Sequence, residues 1–202
     1  MATRVVMGTI LGGRSAAARP IGAAYAGGVV SLRPSPVDAP DAHALLVAYF
    51  TSREIGFAHQ NVVYTATFPD PAVFQPPAGV FVLVEDEHAG PVGCGGIRLI
   101  PDGPLGRRYE VKHLYLSPQT RGRGWGRLLL DDLERRAIAF GARELVLDTH
   151  HSLEAAGGLY ATSGFVEIEP YNDNPNATRW YAKTLVGAGA PEGADGPGRY
   201  TG

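Results

Sequence analysis

Residues 121–127 read Arg-Gly-Arg-Gly-Trp-Gly-Arg, three alternating glycines interleaved with arginines. An apolar run, Val111 to Leu116, precedes them across a polar turn, and a leucine-rich stretch follows at once. A helix start carries unpaired N–H groups and the positive end of the helix dipole. Glycines let that backbone close on an anion without a side chain in the way, and arginines add charge and forked donors. The pattern is that of a cradle for a phosphate or diphosphate.

Two common phosphate binders fit poorly. GRGWGR partly imitates the dinucleotide motif GxGxxG, and Asp148 ends a strand roughly where a ribose-binding acid would stand. However, Arg127 occupies the place of the third glycine, and Ser117 to Arg121 separate strand from glycines where that motif turns tightly. A nucleotide P-loop is excluded because no Gly-Lys-Ser/Thr follows. Other reactive side chains are sparse. Cys94, the one cysteine, sits in the apolar run VGCGG and reads as a buried filler, not a reactive thiol. His150 and His151 are adjacent, so their side chains diverge in an extended chain; with no third ligand evident, no metal site is expected.

The elements that must hold these residues follow from periodicity. Val29–Arg33 reads as a first strand, and Asp38 or Asp41 can cap a helix through about Phe50. Residues 51–77 read as irregular. Val80–Glu85 and Val92–Ile100 form a hairpin, and a turn at Pro101–Gly106 leads to the strand Arg108–Leu116. A helix then runs to about Phe140, with Leu130, Leu133 and Ala137 on its apolar face, Asp131–Arg135 and Asp132–Arg136 as exposed i,i+4 pairs, and Gly141 at its end. Leu145–Thr149 is a buried strand, Leu153–Ser163 a helix, and Phe165–Glu169 and Arg179–Leu185 are strands. Layer logic gives an α+β fold, a mixed and mostly antiparallel sheet flanked by helices.

With 202 residues, 45% hydrophobic and 19% charged, the chain suits one domain, 28–186, between flexible tails at 1–27 and 187–202. A formal charge of −2 gives no reason to expect a nucleic-acid surface. No apolar stretch approaches the roughly 20 residues needed to span a membrane. The interrupted segment Val5 to Leu11 makes a poor secretory signal, which leaves the cytoplasm as the expected location.

Taken together, Arg121-Gly122-Arg123-Gly124-Trp125-Gly126, the preceding LYLSP, the LVLDT strand and LYATSGF at 159–165 resemble the GCN5-related N-acetyltransferases over roughly residues 28–186. The resemblance implies acetyl-CoA as acyl donor, no metal, and direct attack of an amine on the thioester. In that family the strand before the glycines splays from the next, and the pantetheine arm lies in the gap. By position, backbone at Leu114, Tyr115 and Leu116 should meet that arm. The amides of Gly122, Arg123, Gly124, Trp125, Gly126 and Arg127, together with Arg121, should meet the diphosphate.

Glu110 matches a glutamate that several members use as general base, and Tyr160 a tyrosine that protonates the leaving thiolate. Strand alternation sets Glu110, Lys112 and Leu114 on one face, with Val111 and His113 on the other. Glu110→Gln is accordingly expected to lower turnover by about 10²–10⁴ with cofactor affinity nearly intact. An asparagine common near the start of the LY-bearing helix is here Leu153, which leaves its cofactor contact absent or supplied by Ser152. His150, Tyr171 and Asn172 are candidate contacts for the acceptor. A small-molecule amine is the favoured acceptor, since no acidic groove for a protein is marked. A catalytically silent acyl-CoA sensor, another acyl-CoA donor and a protein acceptor stand as alternatives. Many relatives pair with a second copy, so a homodimer stays open.

Overall fold

A computed structural model describes residues 21–25, 28–58, 64 and 66–185. Among the described residues, eight strands form one sheet: β1 (Ile21–Tyr25), β2 (Gly28–Pro34), β3 (Gly79–Asp86), β4 (Gly90–Gly103), β5 (Gly106–Leu116), β6 (Glu144–Thr149), β7 (Val166–Ile168) and β8 (Arg179–Thr184). Their spatial order is β1-β2-β3-β4-β5-β6-β8-β7. Only the β5–β6 pair is parallel; the other neighbours are antiparallel. The α-helices of the described residues are α1 (Pro40–Ala58), α2 (Trp125–Ala139) and α3 (Glu154–Thr162), which cover the sheet.

Alternation along β3 divides the core between two faces. Val80, Val82 and Val84 pack with Leu129, Leu130, Leu133 and Ala137 of α2. Phe81 and Leu83 turn the other way, toward Leu45, Leu46 and Phe50 of α1. Cys94 is fully buried in this second cluster, where desolvation pushes its thiol pKa well up, as befits an inert filler.

Several expectations change. The supposed N-terminal tail contributes β1, which pairs with β2 from Ile21↔Leu32 to Tyr25↔Gly28 and satisfies a backbone edge that would otherwise lie open. Residues 1–20 and 186–202 lie outside the described residues. Helix α1 starts at Pro40, with His43 N–H donating to Ala39 O, so neither Asp38 nor Asp41 is its cap. It runs on to Ala58 instead of ending near Phe50, because Phe57 on its last turns is buried. On α2, Asp132 is buried and draws in both Arg135 and Arg136, so Arg135 pairs at i,i+3 with Asp132 and the salt bridge to Asp131 does not form.

The largest change is in β5. Its register against β4 jumps from Gly96↔Lys112 to Cys94↔Tyr115, so His113 and Leu114 face Gly95 alone. This is a β-bulge, with His113 at φ 56. The bulge flips the phase of the strand. His113 turns to the α1 side, where its ring meets those of Tyr49, Phe50 and Phe74. Leu114 goes to the α2 side with Val111, not with Glu110 and Lys112.

Candidate active site

Parallel pairing of β5 with β6 covers Arg108↔Glu144, Tyr109↔Leu145 and Glu110↔Val146, and stops there. Beyond it, β5 continues to Leu116 and β6 to Thr149, unpaired with each other. Bulges bend and twist a strand, and this one sits just where β5 leaves its neighbour. Tyr115 and Leu116 are held from the other side, opposite Cys94 and Gly93 of β4, so their remaining edge faces the opening.

At the far end of that opening, Gly124 takes a left-handed φ of 79 and starts α2 without any side-chain cap. Leu128 N–H is the donor that reaches back to Gly124 O, so the N–H groups before it have no acceptor within the helix. A Cβ built on Gly122 or Gly124 meets nothing within 4 Å, so the turn looks onto open space. The arginines are braced around it. Arg121 Nε donates to Leu116 O at 3.2 Å, and Arg127 donates to Thr162 Oγ1 of α3 at 2.8 Å. Arg123 stacks over the Trp125 ring, 5.2 Å from its centroid. The Trp125 side chain itself is buried in the core, so only its backbone belongs to the turn. Open space, donors and positive charge together fit a diphosphate.

Glu110 is the last β5 residue paired with β6, and it is 1% exposed. Arg98 grips Oε2 through Nε at 2.7 Å and a terminal nitrogen at 2.6 Å. Oε1 accepts from Lys112 at 3.0 Å, Tyr171 OH at 2.9 Å and Asn172 Nδ2 at 3.3 Å. Lys112 also reaches Asp148 at 3.0 Å, and Asn172 donates to Asp148 at 2.8 Å while accepting from Trp180 Nε1 at 2.9 Å. Burial opposes the charge on Asp148, yet Lys112 and Asn172 hold its pKa below the usual carboxylate range. Burial likewise opposes Lys112, but Glu110 and Asp148 raise its pKa above the ordinary value.

A cavity of about 500 Å³ opens beside this network. Lys112, His113 and Leu114 of β5 and Asp148, Thr149 and His150 at the end of β6 form one wall. The opposite wall comes from α1, Tyr64 and residues 67–74. Tyr160 and Asn172 also line it, whereas Glu110 and Tyr171 stand behind the wall. Glu110 is thus set back from the cavity. A direct base needs an open lone pair facing the amine, and both of its oxygens are taken.

A family model for the acetyltransferase (GNAT) family matches residues 40–165. An uncharacterized N-acetyltransferase of Schizosaccharomyces pombe is 33% identical over 140 residues, 69% of this chain and 83% of that protein. The chain belongs to the GNAT family of acetyltransferases. Among solved structures, a GNAT-family acetyltransferase of Staphylococcus aureus superposes with a TM-score of 0.62 at 18% identity, over 78% of this chain and 99% of that one. A phosphinothricin acetyltransferase of Sinorhizobium meliloti, in complex with acetyl-CoA, gives 0.60 at 22% identity, over 82% and 94%.

In this GNAT chain the predicted site residues separate into two groups. The glycine turn, Tyr160 and His150 face the opening or the cavity; Glu110 and Tyr171 hydrogen-bond directly to each other behind its wall, which Asn172 lines. Burial raises the Tyr160 pKa, so its phenol stays protonated at neutral pH. Burial first, then His151 and Arg53, lowers the pKa of His150, and its Nδ1 lies 2.8 Å from Ser152 Oγ. Its ring lies 4.2 Å from that of His151, so the two side chains do not diverge as expected. No group of three potential metal ligands occurs among the described residues. Leu153 lies at the α3 N-terminus without a side-chain cap, and it too lines the cavity. The sequence reading missed Arg53. Its place four residues after Tyr49 and four before Phe57, one stripe of a longer helix, was the available signal.

His113 gives the GNAT fold an acid-sensitive point. Desolvation, then Lys112 and Arg98, lowers its pKa from 6.5 to about 3, and its Nδ1 is buried without a partner. Below pH 6.5 the unfolded chain binds a proton that the folded one refuses, so the stability present above 6.5 is lost as pH falls toward about 3. One such proton is worth about 1.4 kcal/mol per pH unit. His113→Asn, which tolerates a left-handed φ, should remove this slope. Urea unfolding at pH 7 and 5.5 is expected to show the parent losing about 1.4 kcal/mol more than the variant.

Proposed function

We propose that the chain transfers the acetyl group of acetyl-CoA to the primary amine of a small molecule, with both bound together. The observation carrying this reading is an uncapped glycine turn at the start of α2 and a walled cavity of about 500 Å³ lined by Leu114, with the unpaired edge of β5 between them in the chain. That volume suits a small ligand. When bound, acetyl-CoA supplies a thioester carbonyl; the chain's residues aim and shield it. The C–N bond forms as the C–S bond breaks, the amine loses a proton to solvent, and the sulfur gains one.

Positioning carries most of the rate in this proposal. An alkyl ammonium of pKa near 10.4 is neutral in about one part in 2,500 at pH 7, a handicap of roughly 4–5 kcal/mol. Correct placement offsets roughly 7–11 kcal/mol. Glu110 acts here by fixing Lys112, Asn172 and, through them, Asp148, without touching the amine. Tyr160 gives its proton to the leaving sulfur. Tyr160→Phe should accordingly lower kcat by about 10²-fold with the KM for acetyl-CoA nearly unchanged; an unaltered kcat would return Tyr160 to packing alone.

The test of the whole reading is a panel of amines, polyamines, amino acids and antibiotics incubated with acetyl-CoA, following free thiol. Thiol release confined to one acceptor class is expected. No release with any acceptor, together with no heat of acetyl-CoA binding at millimolar concentration, would refute it.

A further inference from the structure

Arg53 occupies the inner wall of the cavity, and its terminal nitrogen Nη1 is buried with no hydrogen-bond partner. A buried donor on a charged group is costly to leave unsatisfied. The other cavity cations are accounted for. Arg98 is held by Glu110, and Lys112 by Glu110 and Asp148. Among the described residues, no carboxylate comes within 4 Å of the Arg53 guanidinium. Asp70, the remaining acid of the lining, is exposed at the rim and accepts from Ala72 N–H at 2.9 Å. Lys112, Arg98, Glu110 and Asp148 balance one another, so Arg53 is the unanswered charge of the inner cavity.

The guanidinium is also held in place. It stacks over Tyr49, 5.0 Å from the ring centroid. Its positive charge is felt at His113, His150 and Tyr160, the side chains around the reacting end of the cavity. Around it stands an aromatic sleeve. Phe50 lies 4.9 Å from Phe68 and 6.4 Å from Tyr64, and Phe57 lies 5.2 Å from Tyr64.

We infer that the acceptor amine carries a carboxylate on an aromatic skeleton, an aromatic amino acid in class, with Arg53 receiving the carboxylate and the sleeve receiving the ring. This rests on the transfer reading above and narrows its acceptor. An anion close to the reacting end favours an amine and a carboxylate on the same carbon over a lysine side chain, whose backbone would stand far from its nitrogen. It also disfavours polyamines, which would bring further positive charge beside Arg53.

The test is calorimetry with two probes on the unaltered protein, phenylalanine and phenethylamine, which differ in the carboxylate alone. Phenylalanine is expected to bind about 10- to 100-fold more tightly, the range for a charged hydrogen-bonded contact. Arg53→Gln should abolish that preference while Arg53→Lys keeps part of it; should Arg53→Gln not fold, the probe pair on the parent decides. Equal or tighter binding of phenethylamine overturns the inference, as do binding of neither probe and an undiminished preference in a folded Arg53→Gln. Thiol release from acetyl-CoA is followed in parallel. Selective phenylalanine binding without release would support the Arg53 assignment while refuting acetyl transfer.

Discussion

Replacing Gly124 by valine should weaken acetyl-CoA binding by about 10²–10⁴-fold. Gly124 holds a φ of 79 at the entry to α2, a conformation that a β-branched residue adopts only with strain. The added side chain would also stand in the space now open above the turn. An anion could then no longer come within hydrogen-bonding distance of the N–H groups behind it. Each charge-assisted hydrogen bond lost is worth roughly 1.5–3 kcal/mol, and losing two gives the stated range. The cost to folding should be far smaller, about 1–2 kcal/mol. Calorimetry and thermal unfolding on the same sample separate the two effects. An unchanged dissociation constant in a folded variant would mean that the diphosphate lies elsewhere.

Glu110→Gln should lower the free energy of unfolding by about 3–5 kcal/mol, the usual result of removing one partner from a buried ion pair. The amide leaves Arg98 and Lys112 without their shared anion and puts an NH₂ where a carboxylate oxygen accepted. Because Lys112, Asp148 and Asn172 form the wall beside the reacting groups, kcat should fall by about 10²-fold through misplacement. Acetyl-CoA affinity should stay nearly intact, since the cradle stands at the other end of β5. A positioning role also leaves the shape of the pH–rate profile unmoved. If instead the variant were as stable as its parent and the acidic limb of the profile vanished, Glu110 would be the base after all.

The glycine turn at the entry to α2 was readable in the sequence because glycines readily take the left-handed φ that Gly122 and Gly124 adopt there. Strands β3 to β6 were readable because their apolar runs end in strong turn residues. The tail of α1 was not. Thr51, Ser52 and Gly56 are poor helix formers, and it is the burial of Phe57 that carries the helix through them. Nor was the bulge at His113, since alternation assumes an unbroken ladder and nothing local to Lys112 or Leu114 marks the extra residue. That one slip decided on which face His113 and Leu114 lie. Tyr171 and Asn172 were marked in the sequence as candidate contacts for the acceptor, not as partners of Glu110. Their role in tying Glu110 to Asp148 depends on contacts 61, 62 and 24 positions apart in the chain, which no local pattern encodes.

The short parallel seam between β5 and β6 has a wider consequence. Unpaired strand backbone is usually met at the rim of a sheet, where any passing chain can add to it and seed aggregation. Here the vacancy is interior, flanked by two halves of the same sheet. Only something slim enough to enter the cleft can use those hydrogen-bonding groups, so the fold keeps a sticky margin without offering it to other proteins.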